Sequence, residues 1–161
     1  MKIIEYDSKY ENDAKNLLVE LEEYIISIDE DNLDQLHPEY KDKMLELDLE
    51  EAKKNDGICY LAIEDDKAIG LIIGSIPPYD EFDYLDYKCP KRGRVTELVV
   101  SSKARGKGIG KLLMDKLEEY FKTKECEYVL IDVFAYNKNA IDFYKNRNYH
   151  QRMYVDIKKI D

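Results

Sequence analysis

Apolar residues in the first third of the chain recur at helical spacing. A short β-like run, Lys2–Tyr6, comes first. Ser8 then reads as the N-cap of a helix whose buried stripe is Ala14, Leu17, Leu18, Leu21, Ile25 and Ile28. Asp29–Leu36 is a polar break. The pattern predicts a second helix from near Pro38 through Met44, Leu45, Leu49 and Ala52, stopped by Asn55-Asp56-Gly57. From there the period changes. Ile58–Glu64 and Ala68–Ile76 read as strands joined by the tight turn Asp65-Asp66-Lys67, and Pro77-Pro78 ends the second. Tyr79–Pro90, where Tyr79, Phe82, Tyr84 and Tyr87 alternate with Asp80, Glu81, Asp83 and Asp86, is expected to be an irregular loop or a short helix. Arg94–Val100 is the next strand and Ile109–Phe121 an amphipathic helix. Tyr128–Ala135 is the most apolar and β-prone run, Asn137–Asn146 a short helix, and Tyr149–Ile157 a closing strand. The order β-α-α-β-β-β-α-β-α-β predicts an α/β (mixed α+β) domain, with helices on both faces of a mixed sheet. Neither linker nor repeat divides residues 1–161, so a single domain is expected.

Composition narrows the function classes. The 161 residues can bury a core without staples. Cys59, Cys89 and Cys126 have neither the number of a disulfide framework nor the spacing of a zinc site, so a cytoplasmic, metal-free protein is expected. No apolar run has the length of a membrane span, and the first residues lack a signal-peptide core. A net charge of −10 disfavours nucleic acid as the main partner. The charge is uneven, however: residues 88–124 carry eleven bases against four acids. A basic block in an acidic chain points to a small anion.

The block contains Glu97-Leu98-Val99-Val100-Ser101-Ser102-Lys103-Ala104-Arg105-Gly106-Lys107-Gly108-Ile109-Gly110-Lys111. This is a strand, a tight turn and a helix whose first turn is rich in glycine. The start of a helix leaves backbone N–H groups unpaired at the positive end of its dipole, and glycines let an anion approach them. The Lys-Ser/Thr pair of a Walker loop is missing, and the glycine spacing is not that of a dinucleotide fingerprint.

Arg105, Gly108 and Gly110 stand at the spacing of a Gln/Arg-x-x-Gly-x-Gly/Ala signature. Asn137, Ala140, Phe143, Tyr144 and Asn148-Tyr149 resemble an Asn-x-x-Ala-x-x-x-Tyr helix followed by Gly-Phe, with Asn148 where the glycine belongs. Together these blocks resemble the GCN5-related N-acetyltransferase (GNAT) family. The resemblance implies a mostly antiparallel sheet of six or seven strands, flanked by about four helices and splayed between its fourth and fifth strands. It also implies acetyl-CoA as co-substrate. Leu98, Val99 and Val100 would pair with its pantetheine arm, and Arg105, Gly106, Lys107, Gly108, Ile109, Gly110 and Lys111 would hold the pyrophosphate. Asn137 and Ala140 would contact the arm, and Tyr144 would place its hydroxyl near the thioester sulfur.

Amine attack on a thioester needs a base, because an alkylammonium with a pKa of about 10.4 is not a nucleophile at neutral pH. Glu97 is the candidate base and Tyr144 the candidate acid. The structural alternatives are a strand glutamate paired with Arg94 or Lys91, and a packing tyrosine. For the acceptor, the acidic segments supply Asp29, Tyr79, Asp80, Glu81 and Tyr84, carboxylates and aromatics suited to a cationic amine. A polyamine or an aminoglycoside-like molecule fits; so does a protein lysine or N-terminus. A non-catalytic acyl-CoA-binding regulatory module and a homodimer built on the aromatics of 79–87 are the competing readings.

Overall fold

The computed structural model describes residues 1–160. Its elements are β1 Lys2–Glu5, α1 Glu11–Ile28, α2 Tyr40–Lys54, β2 Ile58–Glu64, β3 Lys67–Ser75, α3 Asp83–Asp86, β4 Arg92–Val100, α4 Ile109–Thr123, β5 Tyr128–Ile131 and α5 Lys138–Lys145. Three-residue 3₁₀ turns at Ser8–Tyr10 and Ser102–Ala104 precede α1 and follow β4.

The strands lie in the order β1-β2-β3-β4-β5; the first three pairings are antiparallel and β4–β5 is parallel. Alternation in β3 sends Leu71 and Ile73 to one face and Ile72 to the other, which builds two cores. One packs α1 and α2, through Ala14, Leu17, Leu18, Leu45 and Ala52, on Leu61, Leu71, Ile73 and Val99. The other packs α4, through Ile109, Leu113, Leu117 and Phe121, on Ala62, Ile72 and Val95. Helix α4 lies close to the sheet because Gly93 has no side chain: a Cβ there would stand 2.5 Å from the Phe121 ring.

Two features of β4 position everything that follows. Its register with β3 slips between Ile73 and Gly74, which face Glu97 and Val95, so Thr96 is the extra residue of a β-bulge. The bulge changes the parity of the strand: Val95 enters the α4 core, while Val99 enters the core under α1 and α2. In addition, β5 pairs only with Arg92–Val95. Beyond Val95 the edge of β4 has no strand partner on that side, so the two strands are splayed.

The sequence expectations need four corrections. Asp7, not Ser8, supplies the cap, accepting from the Lys9 N–H at 2.8 Å at the head of the 3₁₀ turn; α1 begins only at Glu11. Among the described residues the sheet has five strands rather than six or seven, and the fold has five helices rather than about four. The β-prone run 128–135 is ordered as a strand only to Ile131, because its partner has bulged away. Tyr149–Ile157 forms no strand: residues 150–160 lack regular structure, and Tyr154 and Val155 are 74% and 90% exposed. The Asp65-Asp66 pair does turn the β2–β3 hairpin, both residues having positive φ (49° and 59°).

Candidate active site

The glycine-rich turn is held in a conformation that only part of its sequence can adopt. Gly106 and Gly108 have φ of 80° and 76°, in the left-handed region that costs other residues strain. Gly108 occupies the N-cap of α4 with no side-chain capping bond, and the first intrahelical bond runs from the Leu112 N–H to the Gly108 carbonyl. The amides at the head of α4 are therefore left for an anion. Ile109 is buried and anchors the helix, whereas Lys111 is exposed. Two of the basic residues are otherwise engaged. The Arg105 Nε donates to the Val100 carbonyl at 3.1 Å while its guanidinium lies 5.5 Å from the Tyr24 ring, and Lys107 pairs with Glu64 at 3.0 Å. Arg105 thus latches the turn to β4.

Helix α1 ties this turn to α5. The Glu20 carboxylate accepts from the Ser102 N–H at 2.5 Å, and the Tyr24 hydroxyl reaches the Asn137 Oδ1 at 3.4 Å. Asn137 is the N-cap of α5, accepting from the Ala140 N–H at 3.1 Å. Ala140 and Phe143 pack on the α4 core, and Tyr144 is buried between the rings of Phe143 and Tyr149. Burial pushes the Tyr144 hydroxyl well above the usual tyrosine range, Arg147 pulls it down less, and Glu97 adds to the rise. The hydroxyl therefore keeps its proton at neutral pH.

Asn148 has φ 65°, and the Tyr149 N–H closes the helix end on the Tyr144 carbonyl at 3.0 Å. Asparagine here does what glycine would. Asn148→Gly is expected to leave denaturant stability nearly unchanged, and Asn148→Val to lower it by about 1–2 kcal/mol, since a β-branched residue resists this conformation.

Glu97 is neither exposed nor ion-paired. Arg94 pairs with Asp132 instead. The Glu97 side chain sits among acidic groups from α1 and α2, and burial, then Asp48, then Glu22 push its carboxyl up to about 8. Burial alone pushes Asp48 up to about 6, and Tyr40 is raised by burial and then by Glu22, Glu97 and Asp48. Glu97 lies close enough to Tyr144 for its charge to raise the tyrosine hydroxyl, and the free edge Leu98–Val100 runs from Glu97 to the glycine-rich turn.

Sequence reasoning missed Glu20, Glu22, Tyr24, Tyr40 and Asp48. Only Asp48 left a signal, as the one acid within the α2 stripe Leu45–Ala52 that is buried.

The acceptor candidates are more scattered. Asp29 accepts from the N–H groups of Asp31, Leu33 and Asp34, which holds its carboxyl below the usual range and shapes the turn after α1. That turn reaches the approach to α5, where the Tyr136 hydroxyl meets Asp31 at 3.2 Å. The 79–87 segment lies by the start of β4: the Tyr79 ring stacks under Arg92 at 3.8 Å and its hydroxyl donates to the Pro90 carbonyl. Asp80 accepts from the N–H groups of Phe82 and Asp83 at the head of α3, while Glu81 and Tyr84 are exposed. The structure thus brings Glu97, Tyr144, Leu98–Val100 and 105–111 into one region. The acidic turn after α1 makes its contact at Tyr136, and the 79–87 segment makes its own at Pro90 and Arg92.

A mixed sheet opened beside a glycine-rich helix start defines an acyltransferase-like fold. The chain belongs to the acetyltransferase (GNAT) family, whose family model matches residues 25–149. An uncharacterized N-acetyltransferase of Methanocaldococcus jannaschii is 32% identical over 94 residues, 58% of this chain and 53% of that protein, so the chain spans about half the length of this curated relative. Among solved structures, a mutant of the BH1408 protein from Bacillus halodurans superposes with a TM-score of 0.82 at 16% identity, covering 99% of this chain and 100% of that one. The aminoglycoside N-acetyltransferase AAC(6')-Iy in complex with CoA gives 0.70 at 15% identity, with 99% of each chain covered. At these identities the two structures show a shared fold.

Proposed function

We propose that this chain is an acetyl-CoA-dependent N-acetyltransferase that acetylates a cationic primary amine by direct attack in a ternary complex. The observation that carries the reading is Glu97, a half-buried carboxyl with no cationic partner, beside a strand edge left free ahead of a glycine-capped helix start. These residues fit acetyl-CoA. Backbone groups of Leu98–Val100 that face away from β3 suit a strand-like pantetheine arm, and the amides from Gly106 to Lys111 suit a pyrophosphate. Asn137 keeps its side-chain NH₂ for the arm while its oxygen caps α5.

Acetyl-CoA supplies the acetyl group as a thioester; the amine nitrogen forms the new bond to the carbonyl carbon as the C–S bond breaks. Glu97, ionised, takes the proton that the ammonium must lose, directly or through water. Tyr144, kept protonated by burial, donates to the leaving sulfur, and the second proton shed by the newly acylated nitrogen restores its hydroxyl. For the acceptor, the exposed Glu81 and Tyr84 and the acidic turn around Asp29 favour a polyamine or an aminoglycoside-like molecule; Asp29, Tyr79 and Asp80 would contribute mainly by shaping these segments.

Free thiol release from acetyl-CoA, measured with polyamines, aminoglycosides, lysine and N-terminal peptides and neutral amines, tests the reading. The expected result is turnover of polycations that weakens with salt. CoA binding in a thermal-shift titration without thiol release from any amine would make the chain a binding module instead. Tyr144→Phe is expected to lower kcat about tenfold and KM for acetyl-CoA little, because a thiol of pKa about 8.5 leaves without full protonation. Unchanged kcat across the pH range would remove Tyr144 from this role.

A further inference from the structure

The loop that carries Asn137 has lost its strand partner. β5 ends at Ile131, and residues 132–137 pair with no strand. Helix α1 and the turn after it hold this loop instead. The Tyr136 hydroxyl donates to Asp31 at 3.2 Å, and the Tyr24 hydroxyl donates to the Asn137 Oδ1 at 3.4 Å. On the other side of the splay, α1 also holds the glycine-rich turn. Glu20, one helical turn before Tyr24, accepts from the Ser102 N–H at 2.5 Å, and the Tyr24 ring lies 5.5 Å from the Arg105 guanidinium. Tyr24 thus touches both sides of the splay, yet it belongs to neither core.

These contacts fall on the free edge of β4 itself. The Ser101 N–H donates to the Ile69 carbonyl at 3.0 Å, which sets the phase of the β3–β4 ladder. Val99 bonds to β3, while Leu98 and Val100 turn their N–H and C=O groups to the free side. The Arg105 Nε closes that edge by donating to the Val100 carbonyl at 3.1 Å. Across the splay, the Asn137 Oδ1 takes two donors, the Tyr24 hydroxyl and the Ala140 N–H. Flipping the amide would set its NH₂ against the Ala140 N–H, so the NH₂ is kept for a ligand.

We infer that Tyr24 is a positioning residue for acetyl-CoA, acting on both sides of the splayed strands from α1. The inference rests on the cofactor reading proposed above. The hydroxyl fixes the Asn137 amide with its NH₂ toward the pantetheine arm. The ring backs the Arg105 guanidinium, which latches the turn that faces the pyrophosphate. The two halves of one side chain therefore serve two different parts of the cofactor.

Calorimetric titrations with CoA and with 3′-phospho-ADP, which is CoA without its pantetheine arm, separate the two contacts. Tyr24→Phe keeps the ring and removes the hydroxyl. It is expected to bind CoA about fivefold more weakly, the worth of one hydrogen bond, and 3′-phospho-ADP as the wild type does. Tyr24→Leu removes both contacts and is expected to weaken both ligands. A general loosening of the fold would weaken both ligands equally in Tyr24→Phe; that result, or no change in either, overturns the inference. Asn137→Ser keeps a capping oxygen on α5 and removes the NH₂. In that background Tyr24→Phe should lose no further CoA affinity, and a loss that persists would show that Tyr24 does not act through Asn137. The phenylalanine variants decide the matter even where Tyr24→Leu fails to fold. A wild-type chain that binds no CoA overturns the cofactor reading and this inference with it, whereas CoA binding that Tyr24→Phe leaves untouched overturns this inference alone.

Discussion

Glu97→Gln is expected to lower kcat by roughly 10²–10⁴-fold, the contribution of a general base, and to erase the acid limb of the pH–rate profile. In the wild type, activity should rise through a midpoint near pH 8 and level off about one unit higher, because the Glu97 carboxyl must be ionised to take the proton and its surroundings hold its pKa at about 8. The acceptor's own ammonium titrates near 10.4, about two units higher, so the two limbs are separable. Glutamine matches glutamate in size, which limits the change to charge and basicity. Steady-state rates from pH about 6 to about 10 decide the matter. A limb near 8 that survives the substitution would place the base elsewhere, with the carboxylates of the 79–87 segment next in line.

The same substitution is expected to stabilise the folded protein at alkaline pH. An ordinary glutamate titrates at 4.5, and Glu97 in the fold at about 8, so across that interval the folded state holds a proton that the unfolded chain has lost. Stability from this group is therefore fully present below about 4.5 and is lost as pH rises through 8. Asp48 adds a smaller loss in the same direction, between 3.8 and about 6. The Glu97 contribution is on the order of 3–5 kcal/mol once the carboxylate is fully ionised, or roughly 10 °C in melting temperature for a chain of this size. Glu97→Gln should then melt well above wild type at pH about 9 and close to it at pH about 5. An equal difference at both would mean that Glu97 is not desolvated in the fold. The expected cost of function and gain of stability share one cause, a charge placed where water solvates it poorly.

Much of the site was legible in the chain because its signals are local. Left-handed glycines, the capping asparagine of α5 and the amphipathic stripe of α4 depend on residues a few positions apart, and Gly106, Gly108, Asn137 and Asn148 sit in the conformations that their types favour. Asp29 and Asp80 show where local reading stops. Both are acids in acidic segments, but each closes a turn on backbone N–H groups. Their neighbours look the same on paper.

By itself, then, the sequence determined the helices, the hairpin, the glycine-rich turn ahead of α4, the Asn137–Tyr149 helix with its end, and the place of Glu97 on the strand that enters that turn. Only the tertiary structure decided that the strand predicted for 149–157 stays unpaired and that β5 stops at Ile131. Pairing across a sheet depends on what lies opposite, which no strand encodes alone. The bulge at Thr96 is the sharpest case: Val95, Thr96 and Glu97 read as plain alternation, yet the extra residue lets Val95 enter the α4 core while Glu97 turns to Glu22, Tyr40 and Asp48. A carboxyl's chemistry is set by its neighbours in space. Those neighbours come from two helices far away along the chain.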